Sequence, residues 1–110
     1  MEEYKIEYTR EAFADLFNIY GYIQNEYLYK QYAESTIKII INKINNLSTF
    51  PKKHHIIDKE PFKSKEIRLM PEKKYNIYYH IKNNKVIEIL RIIYSGKNIC
   101  LYIVEASKKD

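Results

Sequence analysis

Five side chains in the second half of this sequence could together cleave RNA without a metal ion. Such a reaction needs a base for the 2′-hydroxyl, cations that offset the charge on the phosphorane, and an acid for the leaving oxygen. His80, Tyr94 and Lys97 could exchange protons. Arg68 and Arg91 could hold the phosphate, because a planar guanidinium binds two phosphate oxygens at once and keeps its charge. The structural alternatives are an ion pair with a helix carboxylate for Arg91, an exposed strand position for His80, and core packing for Tyr94.

Other classes of chemistry lack their motifs. The sequence has no Gly-rich phosphate loop, His-Glu-x-x-His run, Cys-x-x-Cys pair or Ser-centred elbow. His54 and His55 are adjacent, and in an extended loop their side chains point apart, so we expect no metal site and no cofactor. The single cysteine, Cys100, excludes an internal disulfide and is expected to be a small buried hydrophobe.

Length and charge indicate a small protein with an anionic partner. The 110 residues fit one domain spanning residues 1–110. The acidic start, Met1-Glu2-Glu3, lacks the cationic region of a signal peptide, and apolar runs are short, so we expect a soluble, cytoplasmic protein that does not bind membranes. Residues 1–50 carry five Lys/Arg and seven Asp/Glu, whereas residues 51–110 carry fourteen and seven. A basic second half is typical of proteins that bind nucleic acid or an acidic protein, although solvated lysines are common on any surface.

The first half predicts a strand and two helices. Residues 4–8 alternate between apolar and polar, the period of a strand with one buried face, and Thr9 can cap the following helix. The apolar stripe of the first helix consists of Phe13, Leu16, Phe17, Tyr20, Ile23 and Tyr27. The stripe of the second consists of Ala33, Ile37, Ile40, Ile41, Ile44 and Leu47. The second helix begins near Tyr29, and Pro51 ends it. We expect an antiparallel helical hairpin packed on a sheet.

The second half predicts a loop at residues 51–64 and a C-terminal antiparallel sheet. Its three strands are Glu66-Ile-Arg-Leu-Met, Tyr75-Asn-Ile-Tyr-Tyr-His-Ile-Lys and the segment from Val86 to Tyr94. Asn83-Asn84 suits the hairpin turn between the last two strands. In the strand from Tyr75 the alternation predicts one face under the helices and one open face. The last strand is apolar on both faces, which fits a central strand or a strand covered by another chain. Residues 99–104 could form a fourth strand or a short helix.

The order of these elements, with four short motifs, resembles the RelE/ParE superfamily, the toxin half of bacterial type II toxin–antitoxin pairs. The motifs are Phe50-Pro51, Glu66-Ile-Arg, Tyr75-x-Ile-x-Tyr and Leu90-Arg-Ile-Ile-Tyr-x-Gly-Lys. The resemblance implies an α+β toxin that inhibits growth and is held inactive by a cognate antitoxin. We expect an antitoxin segment to cover the apolar ends of the last strand and residues 99–104.

The resemblance is divided between two mechanisms. RelE-like members cut messenger RNA in the ribosomal A site and usually have two basic residues where this chain has Glu66 and Arg68. They also have arginines where this chain has Asn76 and Asn98, while their C-terminal tyrosine could correspond to Tyr102. Most of that cationic set is therefore missing. The Phe-Pro end of the helical hairpin and the closing Gly-Lys motif look more like ParE members, which poison DNA gyrase without a known catalytic residue.

The residues and the resemblance together leave three hypotheses for the function of this protein. The leading hypothesis is a toxin that binds an essential target such as DNA gyrase through its basic sheet edge and tail. The enzyme alternative is a metal-independent, ribosome-dependent mRNA endoribonuclease that uses the five side chains named first in a rearranged site. The third is a small nucleic-acid-binding or inert protein.

Overall fold

The computed structural model describes residues 3–27, 30–83 and 85–96. Its elements in chain order are β1 (Lys5–Tyr8), α1 (Arg10–Tyr27), α2 (Lys30–Asn46), β2 (Arg68–Glu72), β3 (Tyr75–Lys82) and β4 (Val86–Tyr94). The strands of the described part form one sheet in the order β1-β4-β3-β2, with β1 parallel to β4 and the other pairs antiparallel. The predicted α+β order is confirmed, and β1 makes the sheet mixed. Neither helix, as described, is long and apolar enough to cross a membrane.

Thr9 joins the start of α1 to the middle of β4. Its hydroxyl oxygen accepts a hydrogen bond from the backbone N–H of Ala12 at 3.0 Å, which confirms the predicted cap, and its O–H donates to the carbonyl of Leu90 at 2.8 Å. The strand β1 pairs with β4 only as far as Ile89. Beyond that point, side chains from the start of α1 satisfy backbone groups of β4 that have no strand partner on that side.

The buried stripe of α1 is rotated from the predicted one. Its buried residues are Ala12, Asp15, Ile19 and Ile23. Phe13 and Phe17, expected in the core, are 55% and 66% exposed, and their rings contact each other in a tilted arrangement with centroids 5.3 Å apart. The prediction was wrong at these two positions because it followed side-chain size. Ala12 is fully buried, so the helix lies close to the sheet on its small-residue side.

The helix α2 buries the predicted stripe. Its buried residues are Ala33, Ile40 and Ile44, and Leu47 follows in the next turn. They join α1 and the helix-facing side of the sheet in one core whose strand residues include Ile77, Tyr79, Ile87, Ile89 and Ile92. Ile89 is fully buried. The expectation that an antitoxin covers the apolar end of β4 therefore does not extend to Ile89, and residues 99–104 lie outside the described residues.

The other face of the sheet is covered by the chain itself. Phe62 and Ile67 pack with Tyr78, Leu90 and Ile93 in a second apolar cluster. The expected open face of β3 was therefore wrong at Tyr78, which is 1% exposed. The central position of β4, one of the two alternatives for a strand with two apolar faces, is confirmed.

The strand β2 begins two residues later than expected and continues through Pro71 to Glu72. Glu66 has a φ of 52°, a left-handed turn conformation that excludes it from the strand. Pro71 is tolerated because β2 is the last strand of the described sheet. The shift places Glu72, which has the same strand parity as the buried Met70, on the helix-facing side.

Candidate functional site

Arg91 is bound by a carboxylate of α1. Its Nε donates to Asp15 Oδ2 and its Nη2 donates to Asp15 Oδ1, both at 2.8 Å. The same Oδ2 accepts the backbone N–H of Ile92 at 2.9 Å. The Asp15 and Arg91 side chains are 9% and 14% exposed. This is the structural ion pair that the sequence left open, and it occupies the Nε–Nη2 edge, one of the two edges through which a guanidinium can bind a phosphate.

His80 lies on the sheet face opposite the helices, beside another carboxylate. Its Nε2 is 2.6 Å from Glu88 Oε1 on β4, and Lys82 Nζ is 3.7 Å from Glu88 Oε2. The Glu88 side chain is only 8% exposed, whereas His80 is 23% exposed. His80 is separated from Arg91, since the two side chains pair with carboxylates on opposite sides of the sheet.

Arg68 binds the segment that follows α2 and does not lie on an open surface. Its Nη1 donates to the carbonyl of His54 at 2.7 Å. On the neighbouring strand the Tyr79 hydroxyl donates to the carbonyl of Pro51 at 2.9 Å. Burial raises the pKa of the Tyr79 hydroxyl, and the Arg68 charge opposes that rise. Both side chains tie the start of the long connection to the sheet.

Tyr94 is about half exposed at the end of β4, where its ring meets Tyr75 edge-on with centroids 6.2 Å apart. Lys97, the fifth predicted site residue, lies outside the described residues, as do Asn98, Cys100 and Tyr102. Of the predicted set, Arg91 and Tyr94 line one cleft, while Arg68 and His80 lie elsewhere. The nuclease geometry expected from the sequence is therefore not assembled by the four described residues.

The cleft lies between the two helices and the ends of β2, β3 and β4, with a volume of about 820 Å³. Its large side chains remain partly in solvent. Four of them are Tyr22, Tyr32, Ile39 and Tyr94, with exposures of 60%, 48%, 37% and 49%. Surface hydrophobics scattered singly are normal, but a group that lines one concavity is typical of a binding site.

Glu72 is a feature of this cleft that sequence reasoning missed. It is 8% exposed and lines the cleft, and its Oε2 has no hydrogen-bond partner among the described residues. The neighbouring Lys73 and Lys74 are exposed at the rim. The available signal was strand parity, since Glu72 follows Met70 by two residues, but the strand was expected to end at Met70.

The connection between α2 and β2 presents a basic surface. Its exposed lysines are Lys52, Lys53, Lys59, Lys63 and Lys65. Phe62 and Ile67 anchor the segment through the second apolar cluster, and the Ile57 N–H donates to the Ile67 carbonyl at 2.9 Å. Burial, together with the charges of nearby cationic side chains, lowers the pKa of His54 in this segment. No cluster of three potential metal ligands occurs among the described residues.

One family model matches most of this chain, and solved structures share its fold. The model of the family described as the ParE toxin of type II toxin-antitoxin system, parDE, matches residues 6–99. The solved chromosomal ParDE TA system from P. aeruginosa contains a chain that is 22% identical; the match covers 84% of this chain and 96% of that chain with a TM-score of 0.69. A chain of the toxin-antitoxin complex RelBE2 from Mycobacterium tuberculosis is 16% identical, with coverage of 84% and 98% and a TM-score of 0.63. No curated protein sequence matches this chain. The two structures show a shared fold.

Proposed function

Since the chain belongs to the ParE toxin family, we propose that it stops bacterial growth by binding an essential cytoplasmic target, and that this target is DNA gyrase. It is a toxin of a toxin–antitoxin system, and a cognate antitoxin neutralises it. The observation that supports binding over cleavage is the Asp15–Arg91 pair. The Nε–Nη2 edge of the Arg91 guanidinium is already bound by a carboxylate at 2.8 Å, so this edge does not hold a phosphate while the pair is formed.

The basic connection at residues 51–65 is the surface we assign to the target. It carries five exposed lysines on a segment fixed to the sheet by Arg68 and the second apolar cluster. Clustered cations on a fixed surface raise the local potential and speed encounter with an anionic partner. Residues 97–110 contain three further lysines and continue from the end of β4.

The RNA-cleaving alternative is supported by a different observation. His80 and Glu88 are 2.6 Å apart, with Lys82 close to the same carboxylate. A ribosome-dependent endoribonuclease would use His80 for proton transfer and Lys82 for the phosphate. In that case His80→Ala would abolish toxicity, while the binding mechanism expects His80→Ala to leave toxicity intact as long as the protein folds.

Controlled expression tests the proposal. Induction of the toxin alone should arrest growth, and co-expression of the protein encoded beside it should restore growth. Primer-extension mapping of messenger RNA after induction should show no new cleavage sites. Unimpaired growth with soluble, folded protein would contradict the toxin function, and new cuts at ribosome-bound codons would replace gyrase with the nuclease alternative.

Charge reversal tests the basic surface. The double variant Lys52→Glu/Lys53→Glu should lose most toxicity without a change in melting temperature, because both side chains are exposed. The matched control is Lys30→Glu/Lys38→Glu, which makes the same charge change at exposed positions of α2. Equal toxicity of both double variants would remove residues 51–65 from the target-binding surface.

A further inference from the structure

Glu72 is a buried carboxylate at a site open to a partner. It is 92% buried by its own fold, yet Oε2 has no hydrogen-bond partner among residues 3–27, 30–83 and 85–96. A buried oxygen left without a donor costs free energy, and each such group in a native structure requires an explanation. The other carboxylate lining the cleft, Asp15, is fully used by Arg91 and the N–H of Ile92.

The surroundings of Glu72 define the chemistry of an occupant. The walls supply apolar and aromatic surface from both helices, in particular Tyr22, Tyr32 and Ile39. Lys73 and Lys74 add two exposed cations at the rim beside Glu72. The cleft is therefore apolar on its walls, anionic at one buried point and cationic at its edge.

We propose that this cleft binds an apolar segment of the antitoxin, and that one lysine or arginine of that segment enters the cleft and pairs with Glu72. Apolar side chains of the segment pack on Tyr22, Tyr32 and Ile39, and an acidic side chain at its end meets Lys73 and Lys74. The inference rests on the proposed toxin–antitoxin function and adds to it the residue that selects the partner.

A cation is favoured over an uncharged donor on physical grounds. A hydrogen bond from an ammonium or guanidinium to a carboxylate is about twice as strong as one between neutral groups. It also compensates a carboxylate from which a bound partner excludes water. A partner segment with an apolar side chain at this position would leave Glu72 uncompensated, which disfavours non-cognate antitoxins.

The first experiment removes the charge while keeping the shape. The full-length toxin is prepared as wild type, Glu72→Gln and the control Glu34→Gln, which loses the same charge at an exposed position of α2 outside the cleft. Binding of the purified protein encoded beside the toxin gene is measured by calorimetry. We expect Glu72→Gln to weaken binding at least about tenfold, chiefly through faster dissociation, and Glu34→Gln to leave it within about twofold.

The second experiment identifies the partner side chain. Each lysine and arginine in the toxin-binding segment of the neighbouring protein is changed to glutamate and tested against wild-type toxin and Glu72→Lys. One substitution should abolish binding to the wild type and recover it with Glu72→Lys, the pattern of a direct pair in a double-mutant cycle. If no position shows this recovery, the proposed pair does not exist.

The melting temperature of the free toxin distinguishes a Glu72 partner supplied by the antitoxin from one supplied by the toxin chain itself. If the antitoxin supplies the cation, Glu72→Gln should leave the melting temperature of the free toxin unchanged or raise it, because Oε2 has no hydrogen bond to lose among the described residues. A lower melting temperature with unchanged antitoxin affinity would mean that the chain's own residues 97–110 pair with Glu72, and the inference would be wrong. Unchanged values of both quantities would also overturn it. Growth arrest by wild-type toxin and rescue by the neighbouring protein report on the proposed function separately.

Discussion

Among the polar side chains that the structure describes, Asp15 should make a large contribution to the free energy of unfolding. Its carboxylate accepts two hydrogen bonds from Arg91 and one from the backbone of Ile92, at 2.8, 2.8 and 2.9 Å. Asp15→Ala would remove the carboxylate from a guanidinium that is 14% exposed and the acceptor from the Ile92 amide of β4. Removing one member of a buried pair costs about 3–5 kcal/mol.

Substitutions that remove different parts of the Asp15–Arg91 interaction show how much each part contributes to the free energy of unfolding. Because the cleft admits water to Arg91, we take the lower bound, about 3 kcal/mol, for Asp15→Ala. At roughly 4 °C per kcal/mol for a domain near this size, the melting temperature should fall by about 12 °C. Asp15→Asn keeps an acceptor for the Ile92 amide and should cost about 2 kcal/mol. Arg91→Lys keeps the charge but loses the two-pronged geometry, and should cost about 1–2 kcal/mol.

Urea unfolding followed by circular dichroism measures these values, with Glu34→Ala at an exposed helix position as the control expected within about 0.5 kcal/mol. Growth assays on the same variants separate structure from function. If Arg91 is structural, Arg91→Lys retains toxicity in proportion to the folded fraction. A loss below about 1 kcal/mol for Asp15→Ala, or loss of toxicity in a stably folded Arg91→Lys protein, would refute this reasoning.

Three further predictions test the packing and the electrostatics. Phe17→Asp should change the free energy of unfolding by no more than about 0.5 kcal/mol because Phe17 is 66% exposed. Ile89→Asp buries a carboxylate and should prevent stable folding. If the melting curve of Phe17→Asp resembled that of Ile89→Asp, the assigned exposed face of α1 would be wrong. Tyr79→Phe removes the hydrogen bond to the Pro51 carbonyl and should cost about 1 kcal/mol in urea unfolding, and a neutral result would mean that this bond contributes nothing. Burial and nearby cations lower the pKa of His54 below its ordinary 6.5, so the unfolded chain binds more protons as pH falls through that value. Wild-type stability should therefore decline on acidification from about pH 7, His54→Gln should show a shallower decline, and identical pH profiles would exclude this contribution.

Local patterns predicted the order of the elements because the helices carry apolar residues at helical spacing and the strands are short apolar runs bounded by polar turns. The stripe of α2 was correct because Ala33, Ile40, Ile44 and Leu47 recur at helical spacing and are buried in the core shared with α1 and the sheet. The stripe of α1 failed at Phe13 and Phe17, since Ala12 controls how closely this helix approaches the sheet. Periodicity weighs residues by hydrophobicity and does not report that distance.

The candidate site was harder to predict because its polar contacts join residues distant in sequence. Arg91 and Asp15 are 76 positions apart, so the sequence could offer an ion pair with a helix carboxylate only as one alternative. Glu72 was hidden by an error of two residues in the position of β2, which ended the expected strand before it. Sequence reasoning did not predict that the connection at residues 51–67 covers the second face of the sheet, because this segment has no regular apolar period. The buried side chains of Phe62 and Ile67 nevertheless anchor it to that face.

The effect of the purified toxin on DNA gyrase tests the central claim most directly. Supercoiling of relaxed plasmid is measured with gyrase alone, with added toxin, and with toxin premixed with its neighbouring antitoxin. We expect the toxin to inhibit supercoiling and to trap cleaved plasmid, and the antitoxin to prevent both effects. Full gyrase activity at toxin concentrations well above that of the enzyme, from protein that arrests growth in cells, would contradict gyrase as the target.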